Sequence, residues 1–175
     1  LAGTRWHMLP MARALRRRGY STSIVSYPST RLTIEEAAER YLRPALRAHR
    51  NFHVVTHSMG SLLLRHAMKD PSLSSTGRAV LIAPPNCGSQ FLHKNFEKLW
   101  IRPLGPAARQ LGTNARDLPQ MLPSLPMQTG ILAATKDWRV TVAETQLPKC
   151  ESHQQLAAGH TTILWNPDAI DATLR

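Results

Sequence analysis

An α/β fold with a mainly parallel sheet flanked by helices is what this chain of 175 residues predicts, and three observations carry it. Short β-branched and apolar runs alternate with longer amphipathic stretches, the order that builds parallel strands joined by right-handed crossovers. One run, Phe52-His53-Val54-Val55-Thr56, passes through a tight turn into the helix-forming Ser61-Leu62-Leu63-Leu64-Arg65-His66-Ala67-Met68. A hydrophobic fraction of 42% suits one buried core, and no window approaches the roughly 18 apolar residues of a membrane span.

Residues 8–18 place Met8, Met11, Ala12 and Leu15 on one face and arginines mostly on the other, the pattern of a solvated amphipathic helix. A strand is expected over 21–26. A helix over 33–48 is signalled by Thr33 as cap with Glu36 three residues on, a capping box, and by acids early and bases late along it. Strand 52–56, helix 60–69 and strand 78–83 follow. A Pro-rich stretch, 84–126, is read as a cap or lid inserted into a single domain spanning 1–175. It carries Phe91, Phe96, Leu99, Trp100 and Ile101, which suit an apolar lid or acyl-chain wall and equally one more packed helix. Strands are expected at 129–135 and 139–144, then a loop holding His160, then a helix opened by Asn166-Pro167-Asp168. No repeat or low-complexity tract is visible.

The turn His57-Ser58-Met59-Gly60 has the form of a nucleophile elbow, in which a strained strand-to-helix turn exposes a serine hydroxyl. Small residues are needed two before and two after the serine; Gly60 meets the second requirement and Thr56 only loosely the first. The backbone N–H of Met59 is the expected oxyanion donor at the start of the helix. A Ser-x-Gly turn is also ordinary α/β punctuation, so the remaining chain must supply a base and an acid. In the chain order serine, acid, histidine, Asp137 follows the apolar run Thr129–Thr135 and His160 lies in a loop before another apolar segment. Asp137 is the candidate acid and His160 the candidate base. Glu144 is a weaker acid candidate, placed by alternation at an exposed strand position, and Asp117 reads as surface loop. His57 sits beside the serine and cannot readily reach round to its oxygen, so it reads as a packing or pocket-lining residue. His7, His49, His53, His66, His93 and His153 read as surface or satisfied polar groups.

Gly19-Tyr20, Tyr27-Pro28-Ser29, Val54 through Ser61, Ala83-Pro84-Pro85-Asn86-Cys87-Gly88-Ser89, Leu104-Gly105-Pro106-Ala107 and Gly159-His160-Thr161, in that succession, resemble the bacterial lipase-like α/β-hydrolases. The likeness covers nearly the whole chain and points to the esterase and lipase branch related to membrane-anchor-processing hydrolases. It implies an α/β-hydrolase fold, with Ser58, Asp137 and His160 at the triad positions. Two departures stand out. Trp138 follows the acid where the family usually has glycine. Such hydrolases also open with an apolar strand ending in His-Gly that supplies a second oxyanion donor, whereas this sequence starts at Leu1-Ala2-Gly3-Thr4. The chain is therefore read as N-terminally truncated, or Leu1-Ala2-Gly3 as a degenerate remnant. Loss of one donor costs about 3 kcal/mol in the transition state.

A net charge of +11 comes largely from arginine, clustered at Arg13, Arg16, Arg17 and Arg18 and spread through Arg40, Arg43, Arg47 and Arg50. Scattered charge without a recognised motif disfavours nucleic acid as a partner. A basic surface suits peripheral contact with an anionic membrane or steering of acidic substrates. Cys87 and Cys150 lack the spacing of a zinc site, and Cys87 reads as loop packing at the edge of the site. The expectation is a serine hydrolase of carboxylic esters or lipids that needs no metal or organic cofactor, cytoplasmic or membrane-associated and without a transmembrane segment or recognisable signal peptide. The alternative is a catalytically impaired relative that binds lipid or protein.

Overall fold

The computed structural model describes residues 5–73, 75–96, 98 and 102–175. Four parallel strands lie side by side in chain order: β1 (Val54–His57), β2 (Arg78–Ile82), β3 (Gln128–Ala134) and β4 (Ser152–Leu156). Val55 stands opposite Val80, Val80 opposite Gly130, and Ile131 opposite His153. Pleating sends Ala79, Leu81 and Ile131 into a larger core and Ile82, Leu132 and Ala134 into a smaller one. A sheet covered on both faces needs such unbroken apolar runs.

Helix α1 (Leu9–Arg17) covers the smaller core with Met11 and Leu15, and leaves Arg13, Arg16 and Arg17 exposed. Helix α2, residues 34–47, begins at the expected capping box: Thr33 Oγ1 accepts from the Glu36 amide at 3.1 Å, and Glu36 Oε2 from the Thr33 amide at 3.0 Å. A π turn over Ala38–Leu42 interrupts it. Helix α3 (Gly60–Ala67) follows β1 and packs against α2 in the larger core, where Leu62, Leu63 and Leu64 are fully buried. Helix α4 (Pro167–Leu174) closes the chain beside α1; Asn166 caps it by accepting from the Asp168 amide.

Two expected strands do not form. Residues 21–26 pair with no strand among the described residues; a groove of about 1320 Å³, lined by Ser23, Val25, Val54 and Thr56, runs between them and the outer edge of β1. Their β-branched content does not supply a hydrogen-bonding neighbour, which is a tertiary matter. Residues 139–144 also depart from the expectation. Asp137 Oδ1 accepts from the Arg139 and Val140 amides at 2.8 and 3.1 Å, and Glu144 Oε2 accepts from the Thr141 amide, so the chain curls into a 3-10 turn at Ala143–Thr145. The fourth strand is instead Ser152–Leu156, a polar edge strand without the apolar alternation that marks most strands.

Within 84–126 the described residues form short helices at Gln90–Asn95, Pro106–Arg109 and Leu118–Met121 and a 3-10 turn at Arg102–Leu104. Leu92, Ala107, Leu111 and Leu122 belong to the larger core; Leu99, Trp100 and Ile101 lie outside the described residues. Buried Arg65 on α3 ties this segment down: its guanidinium donates to the carbonyls of Pro119 at 2.9 Å, Pro123 at 3.0 Å, Asn86 at 3.1 Å and Leu122. Burial lowers its pKa to about 10, which still leaves it charged at neutral pH. Among the described residues, no helix is long and apolar enough to cross a membrane.

Candidate active site

The site begins where β1 ends. Ser58 donates its amide to the Ile82 carbonyl at 2.9 Å, extending the ladder by one residue, and then turns with φ 53° into the left-handed region before Met59 starts the approach to α3. A non-glycine residue held there stores on the order of 1–3 kcal/mol of strain, which the strand and helix on either side must sustain. A Cβ added at Gly60 would stand 3.5 Å from the Thr56 Cβ, an ordinary contact. The pair two before and two after the serine therefore packs together, with Thr56 less of a compromise than its size suggests.

Asp137 and His160 follow neighbouring strands. Thr135 and Lys136 donate their amides to the Leu156 and Ala158 carbonyls, stitching the chain beyond β3 to that beyond β4. His160 Nδ1 lies 2.5 Å from Asp137 Oδ2, and its Nε2 lies 2.9 Å from Ser58 Oγ. A carboxylate only accepts, so Nδ1 carries the hydrogen, and the bare Nε2 faces the serine hydroxyl as an acceptor. The Asp137 side chain is inaccessible to solvent and that of His160 is 10% exposed.

The same fold is recognised by comparison. A family model described as the alpha/beta hydrolase family matches residues 1–174. The chain belongs to the alpha/beta hydrolase family. Among solved structures it is similar to the mature form of the Bacillus licheniformis lipase BlEst2, at 19% identity and a TM-score of 0.72, covering 94% of this chain and 83% of that one. It is similar also to a monoacylglycerol lipase of Paleococcus ferrophilus, at 12% identity, TM-score 0.68, and 99% and 89% coverage. A thermophilic esterase from Thermogutta terrifontis matches at 14% identity, TM-score 0.65, and 100% and 85% coverage. No curated protein sequence matches.

Trp138 does not distort the turn that holds Asp137 in this member of the alpha/beta hydrolase family. It points outward, 61% exposed, with Phe91 edge-on at 4.6 Å and the Arg139 guanidinium 4.9 Å from its ring centre. Glu144 is buried rather than exposed; its carboxylate accepts from the Gln90 and Thr141 amides and the Thr141 hydroxyl. Asp117 accepts from the Asn114 amide in its own loop. His153 Nε2 donates to Thr145 Oγ1, whose own hydrogen goes to the Val142 carbonyl. Cys87 approaches the Gln146 carbonyl, and burial raises its thiol pKa, which opposes thiolate chemistry.

His57 is the residue that sequence reasoning undervalued. Its Nε2 lies 2.7 Å from the main-chain oxygen of His160, and the two rings are 4.9 Å apart. Nothing in spacing along the chain reports a contact across 103 positions. The groove beside β1 reaches this corner, with Ser58, Met59, Arg139 and His160 among its lining.

Proposed function

We propose that the chain is a serine hydrolase that cleaves carboxylic esters through an acyl-enzyme on Ser58. The observation that carries this reading is the continuous hydrogen-bonded line from Asp137 through His160 to Ser58 Oγ. His160 Nε2 takes the hydroxyl proton as Ser58 Oγ attacks the ester carbonyl carbon, and Asp137 steadies the imidazolium that forms. The carbonyl oxygen becomes an oxyanion beside the Met59 N–H, at the positive end of α3. Collapse of this intermediate expels the alcohol, which leaves with the proton from His160. Water activated by the same imidazole then attacks the acyl carbon, frees the acid and restores Ser58 Oγ–H. The resident groups supply every proton transfer.

An apolar acyl portion suits the neighbourhood. The 84–126 segment acts as a cap in this reading, its Phe91 packed against Trp138 one residue from the acid. The lipase and esterase names of similar structures agree with an ester substrate. The competing reading is a fold that binds lipid or protein without turnover.

The test is labelling with a fluorophosphonate probe, which reacts with activated serines, alongside hydrolysis of p-nitrophenyl esters of increasing acyl length. The parent is expected to label and to prefer an intermediate or long acyl chain; Ser58→Ala and His160→Ala, shown to be folded, are expected to do neither. A folded parent that neither labels nor hydrolyses would leave the binding reading.

A further inference from the structure

We propose that His57 is a positioning residue, which locks the base of the site by donating its Nε2 hydrogen to the main-chain carbonyl of His160. This inference rests on the catalytic reading of Ser58 and His160 given above.

The geometry fixes the tautomer. A carbonyl oxygen only accepts, so at 2.7 Å the hydrogen must sit on His57 Nε2. The bond crosses from the last residue of β1 to the loop after β4, elements with two strands between them in the sheet. His160 belongs to a short turn held locally by the hydroxyl of Thr162, which accepts from the Gly159 amide at 3.0 Å, and by the Ile163 amide, which donates to the Gly159 carbonyl at 3.1 Å. From other elements come the Lys136 amide, which donates to the Ala158 carbonyl two residues before the base, and His57, which holds the peptide oxygen of residue 160 itself. Fixing the peptide oxygen of residue 160 fixes the direction in which its Cα–Cβ bond leaves the chain. That direction decides whether Nδ1 and Nε2 meet Asp137 and Ser58 simultaneously.

The ring's charge state suits the task. Burial, and then the proximity of His160, lower the pKa of His57 to about 3, with the bond to the His160 carbonyl and the Asp137 charge opposing that drop. Ionisable groups facing it from packed elements are thus His160 and Asp137. A neutral neighbour 4.9 Å away does not oppose the imidazolium that His160 becomes during the reaction, whereas a protonated one would.

Side-chain length makes the idea testable. The amide nitrogen of glutamine reaches about as far as histidine Nε2, and that of asparagine only as far as Nδ1. His57→Gln is expected to keep kcat within about threefold of the parent. His57→Asn and His57→Phe are expected to lower kcat roughly 10- to 100-fold with KM nearly unchanged, the scale of a modest misplacement of a reacting group. Equal kcat in folded His57→Asn, His57→Phe and parent proteins would overturn the proposal, as would an equal loss in His57→Gln. A readout independent of turnover separates this from failure of the catalytic reading: ring nitrogen NMR of the parent and the Ser58→Ala variant. His57 is expected as the Nε2–H tautomer, neutral down to about pH 4. The Nδ1–H resonance of His160, sharp and far downfield against Asp137, is expected to persist in His57→Gln and to broaden in His57→Phe. An Nδ1–H tautomer for His57, or a His160 signal indifferent to both substitutions, would sink the proposal even if the protein hydrolyses nothing.

Discussion

At the scale of single residues, Ser58 could be nominated from its turn and Asp137 and His160 from chain order, because an elbow and the sequence of roles leave a local trace. What joins them leaves none. The amides of Arg139 and Val140 that hold Asp137 follow it directly in the chain but belong to a turn that periodicity read as a strand, and the imidazole of His57 that holds His160 is a tertiary partner. Asp137→Asn keeps the shape of the acid but reverses the hydrogen bond to His160 Nδ1, and on the proposed mechanism kcat is expected to fall by about 10⁴-fold, measured with a soluble p-nitrophenyl ester. His57 also makes a stability prediction. Its folded pKa of about 3 lies below the ordinary 6.5, so between those values the unfolded chain binds the extra proton. Its contribution is complete above pH 6.5 and is lost as pH falls toward 3, at up to about 1.4 kcal/mol per pH unit. Urea unfolding at pH 7, 5.5 and 4.5 is expected to show that loss in the parent and a slope smaller by nearly one proton in His57→Gln. Identical slopes would mean that His57 titrates normally.

At the scale of elements, helices were more legible than strands. The capping box at Thr33, the arginine-faced periodicity of α1 and the Asn166-Pro167 start of α4 are local chemistry, and each formed as expected. Strand 139–144 failed because the carboxylates of Asp137 and Glu144 claim backbone amides that a strand would give to a neighbour. Strand Ser152–Leu156 escaped notice because an edge position tolerates His, Gln and Ser. Arg65 went unremarked among the leucines of α3, although it is the peg on which 86–123 hangs. Three of its four carbonyl partners, those of Asn86, Pro119 and Leu122, belong to buried residues and accept from no other cation among the described residues, so Arg65→Met leaves them without that donor. A destabilisation of about 3 kcal/mol or more is expected, read from the urea midpoint. Arg65→Lys, with one ammonium for four spread acceptors, is expected to recover less than half of it. If Arg65→Met unfolds at the parent's midpoint, the segment is held by its apolar contacts alone.

At the scale of the whole molecule, fold class was readable because alternating strands and helices admit few arrangements, whereas the groove beside β1 emerged only with the pairing of strands. The charge of +11 was equally plain in the sequence, and its distribution is what the structure adds. Around α2 the arginines are partly neutralised: Arg43 pairs with Glu39, Arg47 with Asp70, and Arg40 approaches Glu36. On α1, exposed Arg13, Arg17 and Arg18 form no ion pair among the described residues, and Arg16 is engaged by the Thr22 hydroxyl. Trp6, 62% exposed, stands in the turn leading into the same helix. Unpaired cations along a helix that an exposed aromatic precedes suit an anionic lipid surface, each basic group near it contributing on the order of 1 kcal/mol. Cosedimentation is expected with phosphatidylglycerol vesicles, not with phosphatidylcholine, and to disappear at about 0.5 M salt as the Debye length contracts. Arg13→Glu with Arg17→Glu, both far along the chain from the elbow, is expected to weaken that binding at least tenfold while leaving fluorophosphonate labelling in solution unchanged. Equal sedimentation of this double variant and the parent would place the lipid affinity elsewhere on the basic surface, since the two reversals lower the net charge from +11 to +7, which weakens a diffuse attraction only in part, whereas a patch centred on α1 would be lost.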